Sequence, residues 1–167
     1  RGRIATEFVI GGQSIKGDDE KFDGEVVKCI PDGGYGWHLG TGNNVMHRNS
    51  VGIEVCNFGQ LTKGGYTKKG VWVKLNPDKF YTYVGTEVHP SQIVELSQPF
   101  RGFKHWHRYS DNQIDNLKEL ILFIANRDSI DVRKGLIELI KKEGEFVAFD
   151  RTDVALCERT KGMWNHT

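Results

Sequence analysis

The stretch SVGIEVCNF, residues 50–58, alternates strictly: Val51, Ile53 and Val55 fall on one side, Ser50, Gly52, Glu54 and Cys56 on the other. A side-chain period of two is the signature of a β-strand with one apolar face. At Ser110 the period changes. SDNQ fits a capping box, with Ser110 as N-cap and Gln113 reaching back to it. Ile114, Leu117, Leu120, Ile121 and Ile124 then make one apolar stripe, which predicts a helix of about four turns. Strands ahead of helices within one unit predict an α/β fold, with a mixed central β-sheet flanked by helices.

Other segments extend this frame. ATEFVI (5–10) and EVVKCI (25–30) read as strands joined by a long polar tip, GGQSIKGDDEKFDG. Residues 61–100 read as a β-rich insertion, in which GVWVKL, FYTYV and QIVEL have strand character broken by Gly, Pro and Asn-Pro turns. A second helix is expected over VRKGLIELIKK (132–142), and the tail as an extended piece, a loop and a strand at GMWNH (162–166). Residues 1–167 are expected to form a single domain.

Composition excludes several function classes. With 38% hydrophobic and 27% charged residues and a formal charge of +1, there is no electrostatic case for nucleic acid or an anionic membrane as partner. No apolar run reaches membrane-spanning length, and RGRIATEFVI lacks the layout of an export signal. Cys29, Cys56 and Cys157 are too few and too far apart for a disulfide scaffold or a zinc knuckle. Cys29 and Cys56 lie in strand-like runs and are expected to act as small apolar side chains.

Three places offer chemistry. Glu54 is a carboxylate on a β-rich strand with small neighbours on its own face, either a general base or the exposed half of an edge strand; periodicity favours exposure. In GWHLGTG, Trp37 and His38 give a flat apolar surface and a hydrogen-bonding ring suited to a sugar-peptide ligand. The alternative is a tryptophan that pins the loop, with a solvated histidine beside it. In HWH, His105 and His107 point to one face of a strand, as a zinc pair would, although an aromatic surface with solvated histidines accounts for them better. His47 and His89 sit in polar turns and are assigned no chemistry.

Taken in order, ATEFVI, DGEVVKCI, GWHLGTG, NSVGIEVCNFG, YSDNQIDNLKELI and GMWNHT resemble the zinc-dependent N-acetylmuramoyl-L-alanine amidases, which share their fold with peptidoglycan recognition proteins. The likeness is nearest to phage-type members and covers most of the chain outside residues 61–100. It implies a peptidoglycan hydrolase that cleaves the amide between N-acetylmuramic acid and the L-alanine of the stem peptide with zinc-activated water. It also implies that Glu54 assists catalysis, that His166 is a zinc ligand, and that Trp37, His38, Gly40 and Asn57 border the substrate groove. A non-catalytic peptidoglycan-binding module of the same fold is the alternative.

The likeness also has gaps. The family's first zinc histidine has no counterpart before His38, and its third ligand would follow Thr167. Thr6-Glu7 stands where some relatives carry a tyrosine-histidine pair. A chain trimmed at both ends accounts for both missing ligands together. The expected setting is the bacterial cell wall, reached by a phage lysis or virion-borne enzyme, with peptidoglycan as partner, no nucleic acid, no membrane insertion and a monomeric state.

Overall fold

The computed structural model describes residues 5–39, 44–149 and 154–165. The chain is α/β and divides into two compact units. One comprises Arg1–Phe8, Lys28–Glu54 and Leu117–Thr167, the other Val9–Val27 and Val55–Asn116. No helix among the described residues is long and apolar enough to cross a membrane.

Three short strands, β1 (Phe8–Ile10), β2 (Val26–Lys28) and β3 (Ile53–Val55), form a sheet in the order β2-β1-β3. The sheet is mixed. Cys29 N donates to Glu7 O and Gly11 N to Glu25 O, which makes β2 antiparallel to β1. Phe8 N donates to Gly52 O and Cys56 N to Ile10 O, which makes β3 parallel to it. Cys29 and Cys56, expected to act as small apolar side chains, are free thiols on exposed residues.

The second unit contains the β-rich segment. Strands β4 (Thr62–Lys63) and β7 (Phe80–Tyr81) pair, as do β5 (Gly65–Lys68) with β6 (Val71–Lys74) and β8 (Ile93–Phe100) with β9 (Phe103–His107). The β5–β6 turn is Lys69-Gly70, with φ of 49° and 81°, and the β8–β9 turn is Arg101-Gly102, with φ of 50° and 82°. Two successive positive φ values give the turn whose twist matches an antiparallel pair. The core of this unit gathers Ile15, Leu61 and Val88, with Phe58, Phe80 and Ile93 packed against them.

Helix α2 (Asp111–Asp128) begins where SDNQ predicts. Gln113 N donates to Ser110 Oγ at 3.0 Å and Ser110 N donates to Gln113 Oε1 at 3.1 Å, the reciprocal bonds of a capping box. The same glutamine, 1% exposed, donates from Nε2 to the Cys56 carbonyl at 2.8 Å. Asp23 completes the cap by accepting from Ser110 Oγ at 2.5 Å and Asn112 Nδ2 at 2.9 Å. Gly12 lies against this amide, and a Cβ on it would come 2.9 Å from Gln113 Nε2. Of the predicted stripe, Leu120 and Ile124 are buried and Leu117 and Ile121 half-buried, whereas Ile114 in the first turn is exposed.

In the first unit, α1 (Asn44–Arg48) contains His47, which was expected in a polar turn. The second predicted helix is present as α3 (Leu136–Glu143), starting later than expected because Gly135, at φ 82°, ends the preceding turn. Gly135 also forms a parallel bridge with Met163, through Leu136 N to Met163 O at 2.8 Å and Met163 N to Lys134 O at 3.2 Å. That bridge takes the place of the strand expected at GMWNH among the described residues. The rest of the tail folds as a 3-10 turn (Glu145–Phe149) and α4 (Val154–Arg159), where an extended piece and a loop were expected.

Replacing Gln113 with alanine strands Ser110 N and the Cys56 carbonyl together, and should cost about 1–3 kcal/mol in urea unfolding. Gln113→Glu keeps the cap acceptor but turns a carboxylate oxygen toward the Cys56 carbonyl, so it should also lower the unfolding midpoint. Wild-type stability in Gln113→Glu would mean that the Nε2 contact contributes nothing.

Candidate functional site

In the first unit the candidate residues cluster around a buried histidine. Gly52, just ahead of β3, is buried, and a Cβ there would lie 2.8 Å from His38 Cγ and 2.8 Å from Thr6 Oγ1. The His38 ring therefore covers Gly52, and strand alternation puts Glu54 on that same face. His38 Nδ1 is 3.0 Å from Gly36 O, a carbonyl that can only accept, so Nδ1 carries a proton. His38 Nε2 faces Ser50 Oγ at 2.9 Å, and Ser50 Oγ donates to Met46 O at 2.6 Å. His38 is thus half-buried and fixed in orientation, not a solvated ring.

His47, expected in a polar turn, is wholly buried. Its Nδ1 accepts from His38 N at 3.3 Å, which leaves a proton on Nε2, and that nitrogen has no hydrogen-bond partner among the described residues. Trp37 packs on this ring with centroids 4.3 Å apart, and His38 meets it edge-on at 5.5 Å. Trp37 O also accepts from Ala5 N at 3.2 Å. Trp37 and His38 therefore flank His47, a residue that sequence reasoning passed over. A five-residue helix is too short to show a period, so no pattern marked it.

Glu54 is exposed, and among the described residues it has no hydrogen-bond or ion-pair partner. Glu7, by contrast, accepts from Arg127 Nη1 at 3.2 Å. Arg127 also binds Asp128 through Nε at 2.8 Å and Nη2 at 2.7 Å, which holds the Asp128 carboxyl below its ordinary range. The Thr6-Glu7 pair, where relatives carry tyrosine-histidine, is thus used for packing and an ion pair.

Asn57 lies in the second unit. It lines an open pocket of about 240 Å³ with Gly12, Gln13, Cys56, Phe58 and His107. Its amide is engaged with backbone: Nδ2 donates to His107 O at 3.0 Å and Oδ1 accepts from Gly59 N at 2.7 Å. His107 is buried, which pushes its pKa down and keeps the ring neutral. Its Nδ1 accepts from Phe58 N at 3.2 Å and its Nε2 donates to Gln92 Oε1 at 3.3 Å. His105 stacks on Phe80 with centroids 4.4 Å apart. Both nitrogens of His107 are spent and its burial departs from the solvated surface expected, whereas His105 stays half-exposed beside an aromatic ring.

Gly40 and His166 lie outside the described residues. Among the described residues no three His, Cys, Asp or Glu side chains are grouped so as to hold a metal ion. These residues alone do not furnish a zinc site.

The packing at Gly52 makes a direct prediction. Gly52→Ala forces a Cβ into the His38 ring, and overpacking of this kind costs about 1–3 kcal/mol. Chemical denaturation should show that loss, together with a shift of the His38 ring resonances. An unchanged midpoint and unchanged resonances would mean that His38 does not rest on Gly52.

No match is found among curated proteins or among solved structures. The family model described as N-acetylmuramoyl-L-alanine amidase matches residues 19–153, a span that contains Trp37, His38, Glu54 and Asn57 but stops short of His166. With most of its length matched, the chain belongs to the N-acetylmuramoyl-L-alanine amidase family.

Proposed function

We propose that the chain hydrolyses peptidoglycan at the amide between the lactyl group of N-acetylmuramic acid and the L-alanine of the stem peptide. Water attacks the lactyl carbonyl carbon, a C–O bond forms and the C–N bond breaks. Glu54 takes the proton from the water and passes it to the departing nitrogen. The products are a lactyl carboxylate on the glycan and a free amine on alanine. The observation that carries this reading, beside the family match, is Glu54 itself: an exposed carboxylate without a partner among the described residues, on the strand face that His38 covers at Gly52.

The reading assigns Trp37, His38, Gly40 and Asn57 to the substrate groove. It includes zinc as cofactor with His166 as one ligand; bound zinc lowers the pKa of its water to about 7 and polarises a carbonyl. It places a monomeric enzyme at the bacterial cell wall, phage-encoded and acting in lysis or from the virion, with peptidoglycan as its partner.

The test compares the wild-type protein with Glu54→Gln on purified cell walls, scoring new alanine amino groups, with zinc content measured alongside. Loss of a general acid/base should slow release by about 10²–10⁴-fold. His166→Ala should lower the zinc content. Full activity in Glu54→Gln would remove that residue from the reaction. Tight binding to walls without any amide cleavage would favour the binding-module alternative.

A further inference from the structure

The β5–β6 hairpin presents a second surface, in the second unit, that the site described above does not use. Residues 61–79 hold five lysines against one acid, Asp78, in a chain whose formal charge is only +1. The positive charge is therefore local. Lys79 is committed to Glu87 at 2.9 Å, but among the described residues no carboxylate pairs with Lys68, Lys69 or Lys74.

The register sets the two faces of this hairpin. Gly65 pairs with Lys74 and Thr67 with Trp72 on one face, while Tyr66 pairs with Val73 and Lys68 with Val71 on the other. Tyr66 packs inward, since a Cβ on Gly85 would lie 2.6 Å from its ring. On the opposite face the Trp72 indole lies over Gly65, where a Cβ would meet its six-membered ring at 2.9 Å. One side of the indole is thus pressed on a buried glycine, and the residue as a whole is 50% exposed. An open aromatic face with Lys74 on the same side of the sheet and Lys69 in the turn suits a flat apolar ring that carries negative charge.

We infer that this hairpin binds carboxylate-bearing glycan, a saccharide strand whose pyranose ring stacks on Trp72 while its carboxylates face Lys69 and Lys74. The inference rests on the function proposed above in one respect. Hydrolysis of each lactyl amide leaves a carboxylate on the glycan, so the peptide-free strand is the polyanion that the reaction itself makes. The hairpin then holds the enzyme on glycan it has already stripped.

The test measures equilibrium binding of the full chain to three probes: peptide-free glycan strands from cell walls, chitotetraose, which has a similar sugar backbone without carboxylates, and oligothymidylate. Peptide-free glycan should bind tightest. Trp72→Ala should weaken it at least about tenfold while Trp72→Phe retains most of the affinity. Lys69→Ala with Lys74→Ala should flatten its salt dependence. Trp72 is outside the proposed catalytic residues, so cleavage of a small soluble muramyl peptide should be unchanged in Trp72→Ala, which also reports folding.

Equal affinity of wild type and Trp72→Ala for peptide-free glycan would overturn the inference. So would tighter binding of oligothymidylate, which would mark a single-stranded nucleic acid surface, or chitotetraose binding as tightly as the carboxylated strand. The assay needs no turnover. A chain that binds through Trp72 but cleaves nothing would sink the proposed function alone, and one that cleaves but binds independently of Trp72 would sink this inference alone.

Discussion

One buried amide carries much of the second unit. Gln113 spends its oxygen on the first turn of α2 and its nitrogen on the Cys56 carbonyl. A buried amide left unpaired costs several times what a paired one contributes, so few other side chains can occupy this point. Gln92 repeats the device nearby. Its nitrogen donates to Ser14 O at 2.7 Å and to Gln13 Oε1 at 3.2 Å, and its oxygen receives the His107 proton. Both glutamines fix a loop to regular structure, and Asn57 is held by the same kind of bond.

In the first unit the polar groups around β3 are committed in a similar way. His38 is bound at both ring nitrogens, Ser50 to Met46 O and Glu7 to Arg127. Glu54 stands apart because it is not committed among the described residues. A group that exchanges a proton with substrate must be free to do so, whereas its neighbours gain by being held still. His47, with a buried and unpaired Nε2, has a cost of its own that Trp37 packing offsets in part.

The elements that were legible in the sequence had a local cause. Ser110 and Gln113 announce α2 because a capping box is a fixed spacing, and residues 50–58 announce β3 because alternation survives in a short strand. What stayed hidden depends on partners distant in sequence. Nothing around His47 or His107 signals burial, since that follows from Trp37 and His38 in one case and from Phe58 and Gln92 in the other. The tail misled because Met163 is drawn into a bridge by Gly135, and α4 has too few residues to show a helical period. Glu54 was legible as an exposed carboxylate, but its distinction from Glu7 required seeing that, among the described residues, Glu7 is paired with Arg127 and Glu54 is not.

The central claim is that water is added across one amide bond, and the fate of its oxygen tests this directly. Cell walls digested in oxygen-18 water, with the products weighed by mass spectrometry, should carry one heavy oxygen in the lactyl carboxylate of the glycan. The released peptides, beginning at the amine of L-alanine, should carry none. Label at a sugar reducing end, or in a carboxyl newly formed within the stem peptide, would contradict the account.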